Sequence, residues 1–249
     1  MPLSAFLIVK NEAADLPGCL DSLRGLADEI VVVDSGSTDS TRELAKAVGA
    51  HVVTREFDHF SAQKQFALEQ CTSDWALSID ADERVSPELA AEIKQTLAHP
   101  LADGYELRRE MYFLGHRLRF GGVGTDWPLR LFRRQKGKFS SASVHESIQV
   151  DGTVRRLTEA LKHYSYASIE EYQAKCDQYS TLAAQELFNR GRRFSILDHL
   201  RPGWELFQRI VLQGAWLDGG PGLMYAALSS HAAWLRAIKL WDIQRRPKA

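Results

Sequence analysis

The chain has 249 residues, of which 45% are hydrophobic and 25% are charged, so it is ordinary globular material with enough length to bury a substantial core. It contains no internal repeat and no low-complexity segment, and its length allows one large domain or a domain with an appendage. The formal net charge of −1 hides an asymmetry. Residues 190–249 carry ten Lys/Arg against four Asp/Glu, whereas the remainder carries 21 against 28. This split predicts an acidic, metal-using body and a basic tail that meets an anionic surface.

Several features predict a cytoplasmic protein. The three cysteines have no metal-like spacing and form an odd number, as expected of reduced thiols (Cys19, Cys71 and Cys176). The amino terminus lacks the pattern of a signal peptide. The longest apolar stretch, residues 219–235, is interrupted by Pro221, Ser229, Ser230 and His231, so we expect no transmembrane helix.

Strands and helices alternate over the first 100 residues. Short apolar runs predict strands at residues 3–9, 29–33, 51–54 and 75–79. Helical spacing and capping residues predict helices at residues 13–26, from the Ser37–Asp39 region to 48, at 61–71 and at 87–97. Strands that alternate with helices of this length pair in parallel through right-handed crossovers. We therefore expect an α/β, Rossmann-like, mostly parallel sheet flanked by helices.

An acidic turn follows the fourth predicted strand, where Asp80, Asp82 and Glu83 come directly after apolar residues. Open α/β sheets bind ligands at the carboxyl ends of their strands. Two aspartates separated by one small residue can hold Mg²⁺ or Mn²⁺, with substrate phosphates completing the coordination. The alternative is a solvated acidic turn in which Glu83 caps the next helix.

After residue 151 the pattern becomes helical and basic. Helices are predicted at residues 172–187, 204–217 and 223–241, and the last two are separated by a glycine-rich stretch at 218–222. Four of the six tryptophans lie in this part of the chain (Trp204, Trp216, Trp234 and Trp241). Tryptophan and arginine on amphipathic helices suit a lipid headgroup interface, and a packed helical cap or a dimer contact is the alternative.

Three motifs together resemble the family 2 glycosyltransferases of the GT-A fold: Lys10-Asn11-Glu12, the run from Val31 to Asp39, and Asp80-Ala81-Asp82-Glu83. The stretch from Leu129 to Arg134, followed by Val144-His145-Glu146, is similar to the branch that includes the lipopolysaccharide-core β-glucosyltransferases. The resemblance covers about residues 1–150 and extends more weakly to the end. It implies a GT-A fold and inverting transfer of a sugar from a nucleotide donor, usually a UDP-sugar, with Mg²⁺ or Mn²⁺.

The resemblance also implies roles for particular residues on the donor side. Asp82 is the first metal ligand, and Asp80 reaches the ribose or bridges to the metal. The other donor contacts that it implies or allows are Asn11, Glu12, Asp34, Asp39 and Lys64. Asp34 can instead be a turn-forming residue and Asp39 a helix cap, while Lys64 can instead be a solvated helix lysine.

On the acceptor side the resemblance implies a catalytic base just before the strand at residues 129–133. Asp126 matches that place, although the family's usual Glu-Asp pair is here Thr-Asp, and Trp127 beside it can stack on a sugar or pack. Glu146 is the rival base, with His145 as a metal ligand or an orienting partner.

We therefore expect a GT-A domain at residues 1–150, with its nucleotide-sugar half at about 1–100 and its acceptor half at about 101–150. A helical, basic extension at 151–249 would lie on the inner face of the plasma membrane. The expected activity is inverting transfer from a UDP-sugar to a glycolipid such as a lipopolysaccharide core, with no role for nucleic acid. The alternatives are a membrane-associated nucleotide-sugar sensor without turnover and a sugar nucleotidyltransferase. The latter would need a glycine-rich loop after the first strand, where Lys10-Asn11-Glu12 has no glycine.

Overall fold

The structure, a computed structural model, describes residues 1–140 and 148–245. The described chain divides into two compact units. The first comprises Met1–Arg109 and Thr125–His163, and the second comprises Glu110–Gly124 and the residues from 164 onward.

The first unit starts with the predicted alternation. Its first four strands and four helices are β1 (Leu3–Val9), α1 (Leu16–Leu23), β2 (Glu29–Asp34), α2 (Thr41–Ala47), β3 (His51–Thr54), α3 (Phe60–Gln70), β4 (Trp75–Ser78) and α4 (Pro87–Ala98). The strands pair in parallel in the order β3-β2-β1-β4. Each predicted strand and helix is therefore present, with small shifts at the ends.

The remaining strands make the sheet mixed. They are β5 (Glu83–Arg84), β6 (Gly104–Phe113), β7 (His116–Leu118), β8 (Leu129–Arg133), β9 (Gly137–Phe139), β10 (Ile148–Val150) and β11 (Val154–Tyr166). Within the described residues the sheet continues β4-β8-β6-β11-β5, with β7 on the end of β6 and a separate β9-β10 pair. Pairing is antiparallel between β4 and β8, β8 and β6, and β11 and β5. This α/β sheet flanked by helices confirms the predicted fold class.

Both faces of the parallel part of the sheet are covered, which explains why its strands are continuously apolar. Successive side chains of a strand point to opposite faces. Accordingly Leu3, Leu7 and Val9 of β1 join one buried cluster, while Phe6 joins the cluster on the other face. Trp75 of β4 is fully buried in the first cluster.

The second unit is mainly helical. It contains α5 (Ile169–Asn189), α6 (Arg201–Phe207) with a π-helical turn at Gln208–Leu212, and α7 (Gly219–Arg245). Short 3₁₀ turns lie at Ile196–His199 and Ala215–Asp218. None of the helices within the described residues combines the length and hydropathy needed to cross a membrane.

Two details differ from the sequence-based expectation. The extension at 151–249 was expected to be helical as a whole, with its first helix at 172–187, but residues 154–166 form strand β11, whose Leu157 and Leu161 pack into the core of the sheet on one strand face. Their separation of four residues suits either a helix or a strand. The glycine-rich stretch at 218–222 does not separate two helices, since α7 already begins at Gly219 and contains Pro221 in its first turn. A proline there removes no intrahelical hydrogen bond.

Candidate active site

The carboxyl ends of three parallel strands carry polar side chains at one edge of the sheet. Asn11 and Glu12 follow β1, Asp34 ends β2, and the acidic turn follows β4. Ligands of open α/β sheets bind at this kind of edge. The fold therefore brings together the strand ends to which the sequence assigned donor binding.

Asp80 lies between two cations. One carboxylate oxygen, Oδ1, accepts from Nζ of Lys64 at 3.0 Å, and Oδ2 accepts from Nη2 of Arg130 at 2.6 Å. Burial opposes ionisation of Asp80, but Arg130 and Lys64 outweigh it and hold its pKa far below the usual range. Lys64 and Arg130 are themselves buried. Lys64 is thus not the solvated helix lysine of the alternative interpretation, because it is paired inside the site.

Glu83 is the second acid on Arg130. Its Oε1 accepts from Arg130 Nη2 at 2.6 Å, and its Oε2 accepts from the backbone N–H of Asp80 at 2.9 Å. The side chain is fully buried, and this burial raises its pKa even though Arg130 pulls in the opposite direction. Glu83 does not cap α4, since Ser86 accepts from the N–H of Leu89 at 3.2 Å. Glu83 instead holds the turn and the guanidinium in place.

A cavity of about 310 Å³ opens beside this cluster. Three cationic side chains and one acid line it, namely Lys64, Arg109, Arg130 and Asp80, together with apolar groups from Pro128, Leu129, Phe139 and Ile148. The Nε of Arg130 is buried and has no hydrogen-bond partner among the described residues. Glu83 and Asp126 pair with Arg130 and Arg109 but do not line the cavity, so the cavity itself presents mainly cationic donors and one unused buried N–H, which suits an anionic ligand.

Asp82 faces a different partner. Its Oδ2 lies 3.3 Å from Nε2 of His163, a residue of β11 and the last residue of the first unit. Among residues 1–140 and 148–245 no group of three His, Cys, Asp or Glu side chains is arranged to hold a metal. A carboxylate still fits Mg²⁺ or Mn²⁺ when substrate phosphates complete the shell, and an adjacent imidazole suits Mn²⁺ better than Mg²⁺. Asp82 and His163 are the residues that would hold it.

Asp126, the predicted base, is an exposed partner of Arg109. Its Oδ2 accepts from Arg109 Nε at 2.7 Å and also contacts Nη2 of the same residue. Its Oδ1 makes no such contact with any described residue and can accept a proton. The side chain of Asp126 is 47% exposed, so an acceptor hydroxyl can reach it.

Trp127 packs under the guanidinium of Arg156, 4.7 Å from the ring centroid, so one face of its indole is already occupied. This contact agrees with the packing interpretation of Trp127. The rival pair, His145 and Glu146, lies outside the described residues.

The donor-side residues after β1 and β2 build a loop. Asp34 is fully buried, and its carboxylate accepts from the backbone N–H groups of Gly36 and Ser37 at 3.0 Å. Asn11 has a left-handed backbone with φ of 57°, and its side-chain oxygen accepts from the N–H of Thr38 at 2.8 Å. Asp34 therefore stabilises the turn after β2, and Asn11 connects the loop after β1 to that turn.

Asp39 and Glu12 complete this link. Asp39 accepts from the N–H groups of Ala13 at 3.2 Å and Thr41 at 3.1 Å. The hydroxyl of Thr41 also bonds to it and, with these amides, lowers its pKa. The N–H of Glu12 donates to the Thr41 hydroxyl at 2.8 Å. Asp39 binds the N–H of Thr41 at the start of α2, although Ser40 and not Asp39 is the N-cap residue. Its contact with a donor stays a prediction.

Sequence reasoning gave no role to Arg130, Arg109 or His163. Arg130 stands in the Leu129–Arg134 stretch that carries the branch resemblance, and an arginine in the middle of an apolar strand was the available signal. Arg109 and His163 lie on long strands of mixed polarity, where a single charged residue usually indicates a solvated face. No sequence signal distinguished them.

Comparisons with known proteins identify the family of the chain. Residues 4–156 match the model of glycosyl transferase family 2. The chain is 35% identical to the lipopolysaccharide core biosynthesis glycosyltransferase LpsC of Rhizobium meliloti, over 97% of this chain and 93% of the relative.

Among solved structures, S. aureus TarS residues 1–349 superposes with a TM-score of 0.51 at 15% identity, over 100% of this chain and 93% of that one, which supports the GT-A fold alone. The glucosyl-3-phosphoglycerate synthase of Mycobacterium tuberculosis, solved with Mn²⁺ and UDP, matches 54% of this chain and 57% of its own at 23% identity. Its TM-score of 0.42 is too low to bear on the chemistry here. The family match over more than half of the chain and the close relationship to LpsC lead to one conclusion: the chain belongs to glycosyltransferase family 2.

Proposed function

We propose that this glycosyltransferase transfers a sugar, with inversion, from a UDP-sugar to a glycolipid acceptor of the lipopolysaccharide-core type. The observation that carries the proposal is the cavity at the end of β4, where Lys64, Arg109 and Arg130 surround Asp80. The lining offers three cationic side chains and the unused buried Nε of Arg130, and such donors bind the oxygens of a diphosphate.

Lys64 and Arg130 are the groups that we assign to the diphosphate. Both now bond to Asp80, so a bound diphosphate would share their donors with that carboxylate, and the free Nε of Arg130 offers a further one. Arginine suits phosphate because its planar guanidinium can donate two parallel hydrogen bonds. Glu83 keeps Arg130 in position from the buried side.

Asp82 and His163 are the residues that we assign to a divalent cation, Mg²⁺ or Mn²⁺. When bound, such an ion neutralises negative charge that develops on the leaving diphosphate. Asp80, whose two oxygens both accept from cations in this structure, is the weaker candidate for a metal ligand and the better one for positioning Lys64 and Arg130.

Asp126 is the base in this proposal. The oxygen of the acceptor hydroxyl attacks the anomeric carbon from the face opposite the diphosphate and forms the new glycosidic bond. The bond from that carbon to the diphosphate oxygen breaks, its electron pair leaves with UDP, and the hydroxyl proton passes to Oδ1 of Asp126. Arg109 orients the carboxylate through Oδ2. Glu146 is the competing base.

The acceptor class is supported by LpsC, whose name places it in lipopolysaccharide core biosynthesis. The positive charge of residues 190–249 is compatible with an acceptor in an anionic bilayer. The protein would then act peripherally, on the cytoplasmic face of the plasma membrane.

The test is release of UDP from a panel of nucleotide sugars, with and without extracted lipopolysaccharide core as acceptor, in Mg²⁺ or Mn²⁺. We expect acceptor-dependent release, stopped by excess EDTA and nearly abolished in Asp82→Asn, with the fold of the variant unchanged by circular dichroism. Asp21→Asn is the matched control, because Asp21 is 73% exposed on the surface and pairs with Arg24. A protein that binds a donor, as a shift in melting temperature would show, without ever releasing UDP would be a sensor and not a transferase.

A further inference from the structure

In residues 196–217 of the second unit, large apolar side chains are exposed to solvent and a carboxylate is buried. Ile196, Leu197 and Leu200 are 77%, 67% and 68% exposed, whereas Asp198, in the middle of them, is 3% exposed. In a segment that faces water the opposite arrangement is expected, with apolar side chains inside and the carboxylate outside.

The same arrangement continues along the segment. Six further large apolar side chains are exposed: Trp204, Phe207, Val211, Leu212, Trp216 and Leu217. Single exposed apolar residues are normal on a protein surface, but a concentration of this size marks an interaction site.

The polar groups of the segment are used for internal contacts. Asp198 accepts from Arg192 at 2.7 Å and from the N–H of Ser195 at 2.8 Å. Arg209 donates to the backbone oxygen of Gly121 at 2.7 Å, and the backbone oxygen of Gln213 accepts from the N–H of the same glycine at 2.8 Å. These bonds fix the backbone of the segment on its own unit, so the apolar side chains are held outward by the fold.

The charge around the segment indicates which kind of partner its apolar side chains contact. Arg190, Arg192 and Arg193 stand immediately before it, and residues 190–249 carry a clear positive excess. Trp204 and Trp216 are amphipathic residues that prefer the level of lipid headgroups. Apolar side chains beside arginines fit a surface that lies in the headgroup region of an anionic membrane. The described helices include none able to span a bilayer.

We propose that residues 196–217 are the element that inserts into an anionic lipid surface, with the apolar side chains in the acyl boundary and the net positive charge of residues 190–249 facing the lipid phosphates. This proposal deepens the proposed function, on which it rests, by naming the part of the chain that meets the membrane carrying the acceptor. It also specifies the depth of contact, since an interfacial segment enters only the outer part of a leaflet.

The experiment compares the full-length protein with Leu197→Asp/Leu200→Asp in flotation with vesicles of phosphatidylcholine, with and without phosphatidylglycerol. We expect the wild type to float with the anionic vesicles, less so as salt is raised, and the double variant to bind at least about tenfold more weakly, because two carboxylates replace inserted apolar groups. Leu101→Asp is the control, since Leu101 is 70% exposed in the first unit and should not affect binding. Tryptophan fluorescence should be quenched by brominated lipid chains in the wild type and not in the double variant.

Equal flotation of the double variant and the wild type would overturn the proposal. A wild type that ignores anionic vesicles and sediments as a dimer, while the double variant sediments as a monomer, would also overturn it in favour of a contact between two copies. UDP release in the absence of vesicles, with a water-soluble core oligosaccharide as acceptor, tests the proposed function separately. The double variant should retain that activity, so lost membrane binding is distinguishable from a lost transferase.

Discussion

The two units depart from the rule of apolar inside and polar outside in opposite ways. The first buries charged groups, with Lys64, Glu83 and Arg130 packed behind the partly exposed Asp80. The second exposes apolar groups, and the strip at residues 196–217 leaves large side chains in water. Both arrangements cost free energy in an isolated chain, because desolvated charges and hydrated apolar surface are unfavourable. Each arrangement is compatible with a partner proposed above: an anionic substrate at the cationic cavity of the first unit and a lipid surface at the apolar side chains of the second.

The largest expected effect concerns the chemistry of the first unit. Asp126→Asn removes the proton acceptor while keeping the shape of the side chain, so we expect kcat to fall about 10²–10⁴-fold, the usual loss for a general base. Donor affinity should be nearly unchanged, because the cations of the cavity remain. Steady-state kinetics with varied donor and acceptor measure both. Near-normal kcat in Asp126→Asn together with an inactive Glu146→Gln would assign the base to Glu146.

The buried charges of the first unit should be strongly coupled to stability. Arg130→Met leaves Glu83 buried without its cation, and we expect a loss of about 3–5 kcal/mol in the free energy of unfolding, as for other broken buried pairs. Arg156→Met is the matched control, since Arg156 is 61% exposed and forms a 2.8 Å surface pair with Glu106 worth only about 0–1 kcal/mol. Urea unfolding of the two variants measures both values. Similar, small losses in both would mean that the Arg130 cluster is not held as tightly as its burial indicates.

Glu83 makes the free energy of unfolding depend on pH. Because burial raises its pKa above the usual 4.5, the folded chain retains a proton that the unfolded chain has already lost. Its contribution to stability is full below that value and is lost as the pH rises through the folded pKa. We therefore expect wild type to lose stability relative to Glu83→Gln as the pH rises above 4.5. Unfolding curves over a pH series measure the difference, and Glu69→Gln, at an exposed position, is the control variant.

The smallest expected effect lies in the exposed strip of the second unit. Leu200→Ala should change the free energy of unfolding by no more than about 0.5 kcal/mol, because Leu200 has little packing to lose. The same substitution at Leu240, which is 2% exposed in the same unit, should cost about 2–5 kcal/mol. Thermal unfolding without lipid separates the two cases. A large loss in Leu200→Ala would show that the strip is packed against protein in solution.

The sequence predicted much of the parallel half of the sheet because the relevant signals are local. Apolar runs, helical spacing and capping residues place β1 to β4 and α1 to α4 within a few residues of their observed ends. The same local logic placed the acidic turn after β4. It placed no strand at residues 154–166, where Leu157 and Leu161 fit two periodicities and only pairing within the sheet decides between them.

The site itself depends on contacts that no local pattern contains. Lys64 meets Asp80 across 16 residues, Arg130 meets Glu83 across 47, and His163 meets Asp82 across 81. A lysine on a helix and a histidine on a strand look the same in sequence whether they are solvated or placed against a carboxylate. Only the order of the strands brings these groups to one edge of the sheet.

For the exposed segment at residues 196–217, too, the sequence determined one property and the tertiary structure another. The sequence determined that residues 190–249 are basic and rich in tryptophan, which was enough to predict an anionic surface as a partner. Whether Ile196 and Leu200 or Asp198 would face the protein was decided by the tertiary structure, because the buried bonds of Asp198 to Arg192 and Ser195 orient the turn. An amphipathic pattern fixes that a segment has two faces, and the contacts made by the polar face determine which one meets the solvent.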